Sequence, residues 1–278
     1  MTAIIGTIGI FLLTLFGVLY SLLGYNMYFQ TRFVEFMSAK AEKEGMKSEH
    51  TLKGERIFVK REEKRSSRVN LYRHGDEPLP VLYVLHGGSF TDQDADDIDS
   101  FCDEMALRVK AAVISISYTK MPVHTTTYPQ EEITEVVQYF HAHAEEYGLD
   151  HDRYVMLGNE AGGYLALLSA VMLVRRTLVP DGLILLDPFA DYVGTSFVQA
   201  GYHPGPAALL ISGPREKDKK LMEYADVLSN GNVRSFIRRL FTKSELNTLI
   251  RGESLSEEQK KEREALMDLL CDLFERMV

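Results

Sequence analysis

Two glycine-containing clusters mark the places where this chain could do chemistry. The first is His86-Gly87-Gly88-Ser89-Phe90, directly after an apolar run, and the second extends from Gly158 to Gly163. Glycine lets the backbone pass close to other atoms and adopt positive φ angles. The second cluster contains one ionisable side chain, Glu160, at the predicted start of a helix. Because free N–H groups at a helix N-terminus favour an anion, a carboxylate and backbone donors are predicted to meet here.

An alternating series of strands and helices must position these clusters. We predict strands near Arg56–Lys60, Val69–Tyr72, Val81–Leu85, Val113–Ser117, Tyr154–Leu157, Leu183–Leu186, Ala208–Ser212 and Arg234–Leu240. Helices are predicted at Asp97–Val109, Gln130–Tyr147, Gly162–Val174, Lys217–Leu228 and Ser256–Met277. Continuous apolar strands indicate a parallel sheet covered by helices on both faces, and early strands without intervening helices suggest an antiparallel edge. The predicted fold is α/β, with a mostly parallel sheet of about eight strands whose carboxyl ends line a ligand crevice.

Four motifs, in order along the chain, resemble those of a known superfamily. The first glycine cluster resembles the family motif H-G-G-G, with Ser89 at the third glycine. The second motif consists of Ser117-Tyr118, Pro122, Tyr128-Pro129-Gln130 and Glu132. Residues 148–153 resemble G-x-D-P-x-R, and residues 158–163 resemble G-D-S-A-G-G. Across roughly residues 55 to 228 the chain resembles the α/β-hydrolase superfamily, in particular the hormone-sensitive-lipase-like, or fold-3, esterases. The resemblance implies an α/β-hydrolase fold with position 160 at the nucleophile elbow. It also implies an oxyanion hole formed by Gly87, Gly88 and Ala161, with His86, Gly158 and Gly162 shaping the loop and elbow.

The chain departs from that family at all three positions of the catalytic triad. The elbow needs a hydroxyl nucleophile, and this sequence has Glu160 there. The triad needs a histidine late in the chain, but the last of the eight histidines is His203. Alignment of Tyr224-Ala225 with the family's pattern places Arg215 where the orienting aspartate belongs, with Asp218 three residues on.

Three interpretations of Glu160 follow from these departures. Its carboxylate could fold onto the donors of the former oxyanion hole as an internal anion that fills the site, and we favour this interpretation. A nucleophilic carboxylate would form an ester that a histidine-activated water must hydrolyse, and His124 is the one distant substitute base. The third possibility is a solvated side chain. We therefore expect a catalytically inactive pseudohydrolase that binds or scaffolds; the alternative is an active carboxylesterase-like hydrolase of small esters or amides with a rearranged site.

The N-terminal region predicts a single membrane anchor. Ala3 to Leu23 is an uncharged run of 21 residues, which spans a bilayer core as a helix. The rival interpretation, a cleaved signal peptide, lacks a basic n-region and a small-residue cleavage site. Cationic side chains follow the span from Arg32 onward, which places the globular domain in the cytoplasm. The predicted organisation is an anchor over 1–31, a juxtamembrane helix and linker over 32–54, and the hydrolase domain over 55–278.

Charge and the remaining clusters exclude several classes of partner. The formal net charge is −9, so a nucleic-acid partner is not expected. The acidic run between Asp92 and Glu104 has Asp97 where a calcium loop needs glycine, and it is predicted to cap a helix. Two isolated cysteines make no zinc site, so neither metal nor cofactor is expected. The expected partners are the bilayer, through residues 3–23, and a small molecule or protein at the crevice.

Overall fold

The central sheet explains the continuous apolar runs, because it is covered on both faces. In the computed structural model, the described residues are 52–61, 66–120, 127–190, 206–216, 218–230, 235–239 and 243–278. All of them fall within one compact unit, Thr51–Val278. The predicted anchor lies outside the described residues, as does the juxtamembrane segment as far as residue 51. Among the residues that are described, no helix is both long enough and apolar enough to cross a membrane.

Eight strands form a single, mostly parallel sheet. They are β1 (Glu55–Val59), β2 (Ser67–Tyr72), β3 (Leu79–Leu85), β4 (Ala112–Ser117), β5 (Leu149–Asn159), β6 (Gly182–Leu186), β7 (Ala207–Ile211) and β8 (Ser235–Arg239). Their spatial order is β1-β2-β4-β3-β5-β6-β7-β8. β2 is antiparallel to both β1 and β4, and every other pair is parallel. The mostly parallel sheet with an antiparallel edge is therefore confirmed.

Six helices of the described residues cover the two faces of this sheet. They are α1 (Asp99–Val109), α2 (Thr127–Ala142), α3 (Ala161–Val174), α4 (Lys219–Asn230), α5 (Leu246–Arg251) and α6 (Glu257–Met277). One core lies between the sheet and α2, α3 and α4, and the other lies between the sheet and α1, α5 and α6. Within β3, Tyr83 and Leu85 face the first core and Leu82 and Val84 face the second. Both faces of such a strand must be apolar, which is why it contains no polar alternation.

Several predicted boundaries were wrong. Helix α2 ends at Ala142 rather than at Tyr147, because residues 143–148 form turns that finish at Gly148 with a φ of +61°. Strand β5 begins at Leu149, five residues before the predicted start. Residues 150–153 are polar, and Leu149 and Asp150 pair with Leu79 and Pro80 before a register shift at Pro80/Val81. Helix α5 was not predicted at all, since six residues give too short a periodic signal.

Other local predictions were confirmed. Asp94 caps a 3-10 turn over Ala95–Ile98 that leads into α1, and its side chain accepts a hydrogen bond from Asp96 N at 2.8 Å. Helix α6 begins after Ser256, which forms a capping box with Gln259. Its apolar stripe packs on the sheet, with Leu266, Met267, Leu270, Leu273 and Phe274 buried. Both cysteines, Cys102 and Cys271, are free thiols.

Candidate active-site crevice

Glu160 occupies a tight turn between β5 and α3, and its backbone has the conformation of a nucleophile elbow. Its φ is 49° and its ψ is −112°, which is strained for any residue with a side chain. Three hydrogen bonds hold this conformation. The N–H of Glu160 donates to Leu186 O at 2.8 Å, and its carbonyl accepts from Tyr164 N and Phe189 N, each at 3.2 Å. The elbow geometry therefore persists although the residue in it carries a carboxylate.

Close packing around the elbow explains the glycines at positions 158 and 162. A Cβ atom built on Gly162 would lie 2.2 Å from Leu85 O and 2.4 Å from His86 O. A Cβ atom on Gly158 would lie 2.3 Å from Gly162 O. No side chain fits at such distances, so these glycines let α3 begin directly against the end of β3.

The carboxylate of Glu160 reaches the loop after β3. Gly88 N donates a hydrogen bond to Glu160 Oε2 at 3.1 Å. Of the three predicted oxyanion-hole donors, Gly88 is therefore the one that contacts the carboxylate. Gly87 also lies beside it, since a Cβ on Gly87 would be 2.9 Å from Oε2, but neither Gly87 nor Ala161 donates to Glu160. Glu160 is partly exposed.

His86 organises the loop after β3. It is buried, its Nδ1–H donates to Gly87 O at 2.9 Å, and its ring stacks on Tyr118 with 4.1 Å between centroids. The hydroxyl of Tyr118 donates to His86 O at 2.9 Å. Burial lowers the pKa of His86 to about 4, so the imidazole is neutral at physiological pH. His86 therefore contacts Gly87 and Tyr118 within this loop region.

Arg215 lies immediately after β7, where the family's orienting aspartate was expected. It ends a 3-10 turn over Gly213–Arg215. Its guanidinium binds Asp218 Oδ2 at 2.8 Å and donates to Asp187 O at 3.0 Å. A cation bound to Asp218 and to the carbonyl of Asp187 therefore follows this strand.

Sequence analysis missed two residues that help to build the crevice. Asp187 is buried just after β6, where its Oδ1 accepts from Ser212 N at 2.8 Å, and burial raises the pKa of its carboxyl. The sequence signal that could have indicated Asp187 is the pair Asp187-Pro188 directly after an apolar strand. Asn247, on α5, accepts a hydrogen bond from Asn159 Nδ2 at 2.8 Å. Nothing in the local sequence indicates that contact, because the two residues lie 88 positions apart.

The other histidines that the structure describes do not supply a base at the elbow. His124 and His203 lie outside the described residues. His141 and His151 hydrogen-bond to each other through their Nδ1 atoms at 2.9 Å, and His151 stands at the start of β5, whereas Glu160 follows its end. His143 binds Tyr139 O, and His74 pairs with Asp103. Among the five histidines that the structure describes, His86 is the one bonded to a crevice residue.

A separate pocket of about 550 Å³ lies away from the elbow, near the start of β5. It contains none of the predicted site residues. Its lining mixes acidic, basic and aromatic side chains: Lys53, Glu55, Leu71, Tyr72, Arg73, His74, Glu145, Glu146, Tyr147 and Gly148.

Comparison with known proteins gives the same family as the motifs. A family profile described as α/β hydrolase fold matches residues 81–234, which is more than half of the chain. An acetyl esterase of Salmonella schwarzengrund is 39% identical over 107 residues, covering 38% of this chain and 32% of that protein. An esterase of Gibberella moniliformis is 33% identical over 103 residues, covering 37% and 32% respectively. The matched segment thus spans about a third of the length of these curated relatives.

Solved structures show the same architecture. An esterase of Pyrobaculum calidifontis superposes with a TM-score of 0.67 at 18% identity, covering 89% of this chain and 92% of that one. Carboxyl esterase 2 of Tuber melanosporum gives a TM-score of 0.69 at 15% identity, covering 83% and 88%. At such identities the likeness concerns the fold alone. Together with the motif order and the elbow geometry, these matches show that the chain belongs to the α/β-hydrolase fold family, in its hormone-sensitive-lipase-like esterase group.

Proposed function

We propose that this protein is a catalytically inactive, membrane-anchored member of its family that keeps the crevice as a binding or scaffolding module. One observation carries the proposal: the carboxylate of Glu160 accepts the hydrogen bond of Gly88 N at 3.1 Å. In ester hydrolysis this donor would stabilise the negative charge that develops on the substrate oxygen. A carboxylate of the protein itself competes for that donor and repels the developing charge.

Among the described residues, no proton carrier for ester hydrolysis is evident beside Glu160. A general base works best when its pKa lies near the working pH. His86 does not meet this condition, because burial lowers its pKa to about 4 and its Nδ1–H is committed to Gly87 O. Arg215 stands where a carboxylate would orient a catalytic histidine, and its positive charge would oppose an imidazolium.

An active carboxylesterase-like enzyme is the second candidate function. It is favoured by the preserved elbow conformation at Glu160 and by the esterase names of the relatives. In that case Glu160 would act as nucleophile, and a base would have to come from residues such as His124.

Ester turnover by the full-length chain distinguishes the two candidates. The purified protein in maltoside detergent is assayed with p-nitrophenyl acetate beside Glu160→Ala, and both are treated with a fluorophosphonate probe. We expect both proteins to hydrolyse the ester at the background rate and neither to be labelled at serine. Wild-type turnover above background that Glu160→Ala abolishes would refute the proposal and make Glu160 catalytic.

The membrane part of the proposal rests on the uncharged run from Ala3 to Leu23. A single span with the globular domain in the cytoplasm accounts for the cationic residues that follow it. Alkaline carbonate extraction of membranes should leave the full chain in the pellet and release a variant lacking residues 1–31. A mature N-terminus beyond residue 20 would instead identify a cleaved signal peptide.

A further inference from the structure

The separate pocket near the start of β5 is large enough for a small molecule. Its volume of about 550 Å³ falls within the range of about 300–1,000 Å³ that is usual for ligand sites. Charged and phenolic side chains form most of its lining, and Leu71 is the one aliphatic member. Burying an apolar ligand against such groups would leave them without partners, so the lining favours a small polar ligand.

Arg73 supplies the uncommitted positive charge of this pocket. Its guanidinium lies against the backbone of Gly148, where a Cβ would be only 2.4 Å from Nη2. Nη2–H donates to Glu77 O at 3.3 Å, and Arg73 forms no ion pair with any described residue. The other two basic residues of the lining, Lys53 and His74, both contact the carboxylate of Asp103, at 3.3 and 2.9 Å.

Three carboxylates supply the negative charge of the same pocket. Glu55, Glu145 and Glu146 all line it, and none of them forms an ion pair with a described residue. Two of them lie beside the hydroxyl of Tyr147. The pKa of that hydroxyl is raised first by its hydrogen bond to Tyr139 and then by burial, and the charges of Glu146 and Glu55 raise it further.

The opposite charges of the pocket stay apart. Glu55 is paired with Leu71 across β1 and β2, and Arg73 lies two residues beyond Leu71. Diagonal neighbours of this kind are about 7–8 Å apart, within reach of long side chains. Nevertheless Arg73 and Glu55 form no ion pair, so the pocket holds a guanidinium and carboxylates that do not neutralise one another.

This separation of charge distinguishes between classes of polar ligand. A simple anion would be attracted by Arg73 but repelled by the three glutamates, and a simple cation would be attracted by the glutamates but repelled by Arg73. A zwitterion satisfies both. Guanidinium binds a carboxylate through two parallel hydrogen bonds, and a primary ammonium group has three donors for carboxylate oxygens.

We propose that this pocket binds an α-amino acid as its zwitterion, with the ligand carboxylate on Arg73 and the ligand ammonium on Glu55 and Glu146. Leu71 and the ring of Tyr147 would contact the side chain of the ligand. The pocket contains none of the elbow residues, so this inference does not depend on whether Glu160 has ended ester hydrolysis.

A ligand-observed NMR titration of the full-length chain in maltoside micelles tests this proposal. The probe is L-phenylalanine, and protein-free micelles provide the blank. Two controls each lack one charge: 2-phenylethylammonium has no carboxylate, and 3-phenylpropanoate has no ammonium. We expect saturable binding of phenylalanine at least about tenfold tighter than that of either control, because each control loses one charge-assisted contact. Equal or tighter binding of either control would overturn the proposal.

Matched variants locate each end of the ligand. Arg73→Gln should weaken phenylalanine binding at least about tenfold and leave 2-phenylethylammonium binding no weaker, since that control has no carboxylate to lose. Glu55→Gln combined with Glu146→Gln should weaken phenylalanine binding and leave 3-phenylpropanoate binding no weaker. A variant that only damaged the fold would weaken the probe and its control together.

Arg153→Gln is the control for the arginine substitution. Arg153 stands near the start of β5, binds Asp150 at 2.7 Å and does not line the pocket. This variant should bind phenylalanine as the wild type does. Wild-type affinity in Arg73→Gln, or the same loss in Arg153→Gln as in Arg73→Gln, would overturn the assignment of the ligand to this pocket.

Discussion

The Oε2 atom of Glu160 lies 3.1 Å from the backbone nitrogen of Gly88, although the two residues are 72 positions apart. Their strands, β3 and β5, are parallel neighbours, with Leu85 paired to Gly158. The loops that follow these strands therefore meet at one edge of the sheet. A serine at position 160 would be too short to accept a hydrogen bond from Gly88 N, and that N–H would remain free for a substrate oxygen. The glutamate carboxylate reaches it.

Restoring the hydroxyl alone should not restore an esterase. We expect Glu160→Ser to hydrolyse p-nitrophenyl acetate within about tenfold of the wild-type background, because triad members act as a unit. Arg215 would still stand in place of the orienting carboxylate. Initial rates at matched concentration, with Glu160→Ala as control, provide the measurement. A gain of several orders of magnitude in Glu160→Ser would reveal a base and an acid that the described residues do not contain.

Backbone strain at position 160 can be measured with two small substitutions. Both Glu160→Ala and Glu160→Gly remove the carboxylate, but only glycine adopts a φ of 49° with a ψ of −112° without strain. Relief of about 2 kcal/mol is partly offset by the entropy of glycine in the unfolded chain. Urea unfolding should therefore show Glu160→Gly to be about 1 kcal/mol more stable than Glu160→Ala. The reverse order would mean that the turn relaxes without cost.

Two adjacent glycines of α3 should respond differently to alanine. In Gly162→Ala the new Cβ meets two backbone oxygens, at 2.2 and 2.4 Å, which cannot move independently of the sheet. We expect a loss of about 3 kcal/mol. In Gly163→Ala the nearest atoms, Gly158 O and Pro188 Cβ, lie at 3.0 Å. A gain in helix propensity offsets that contact, so its stability should stay within about 1 kcal/mol of wild type. Similar losses in both variants would contradict the packing described here.

The buried His151 should make folding stability depend on pH. Burial, and then the neighbouring His141, lower the pKa of His151 to about 4, while Asp150 and Asp152 act in the opposite sense. Its Nε2 meets the hydroxyl of Tyr83 at 2.6 Å. The unfolded chain takes up a proton near pH 6.5, but the folded chain does so only near pH 4. The contribution of His151 to the free energy of unfolding is therefore complete above about pH 6.5. It is lost as the pH decreases to about 4, by an amount on the order of 3 kcal/mol.

Glutamine cannot be protonated to a cation, so His151→Gln should make the free energy of unfolding depend less on pH. Unfolding by urea at pH 7, 6 and 5 gives the comparison. The variant starts with a lower stability at pH 7, because it loses packing, and then declines less steeply than the wild type. Parallel declines would assign the pH dependence to other groups, such as the buried His86.

The sequence by itself determined the architecture and the identity of the residue at the elbow. Apolar runs such as β3 could be interpreted locally, because a strand buried on both faces must be apolar throughout. The glycines at 158 and 162 and the carboxylate at 160 stand at fixed positions within one turn. Their proximity to one another therefore followed from spacing alone, whereas the loss of the serine followed from the resemblance to the family's elbow motif.

Only the tertiary structure decided which donor the carboxylate contacts and what else surrounds it. Gly88 rather than Gly87 or Ala161 donates to Glu160, because the choice depends on the course of a loop with a φ of 91° at Gly88. Asn247 joins the site from α5, a helix too short to be predicted from periodicity. Asp187 is buried against Ser212 because β6 and β7 are adjacent in the sheet. Such contacts join distant segments, so they depend on strand order and loop path, and no local pattern of residues encodes either.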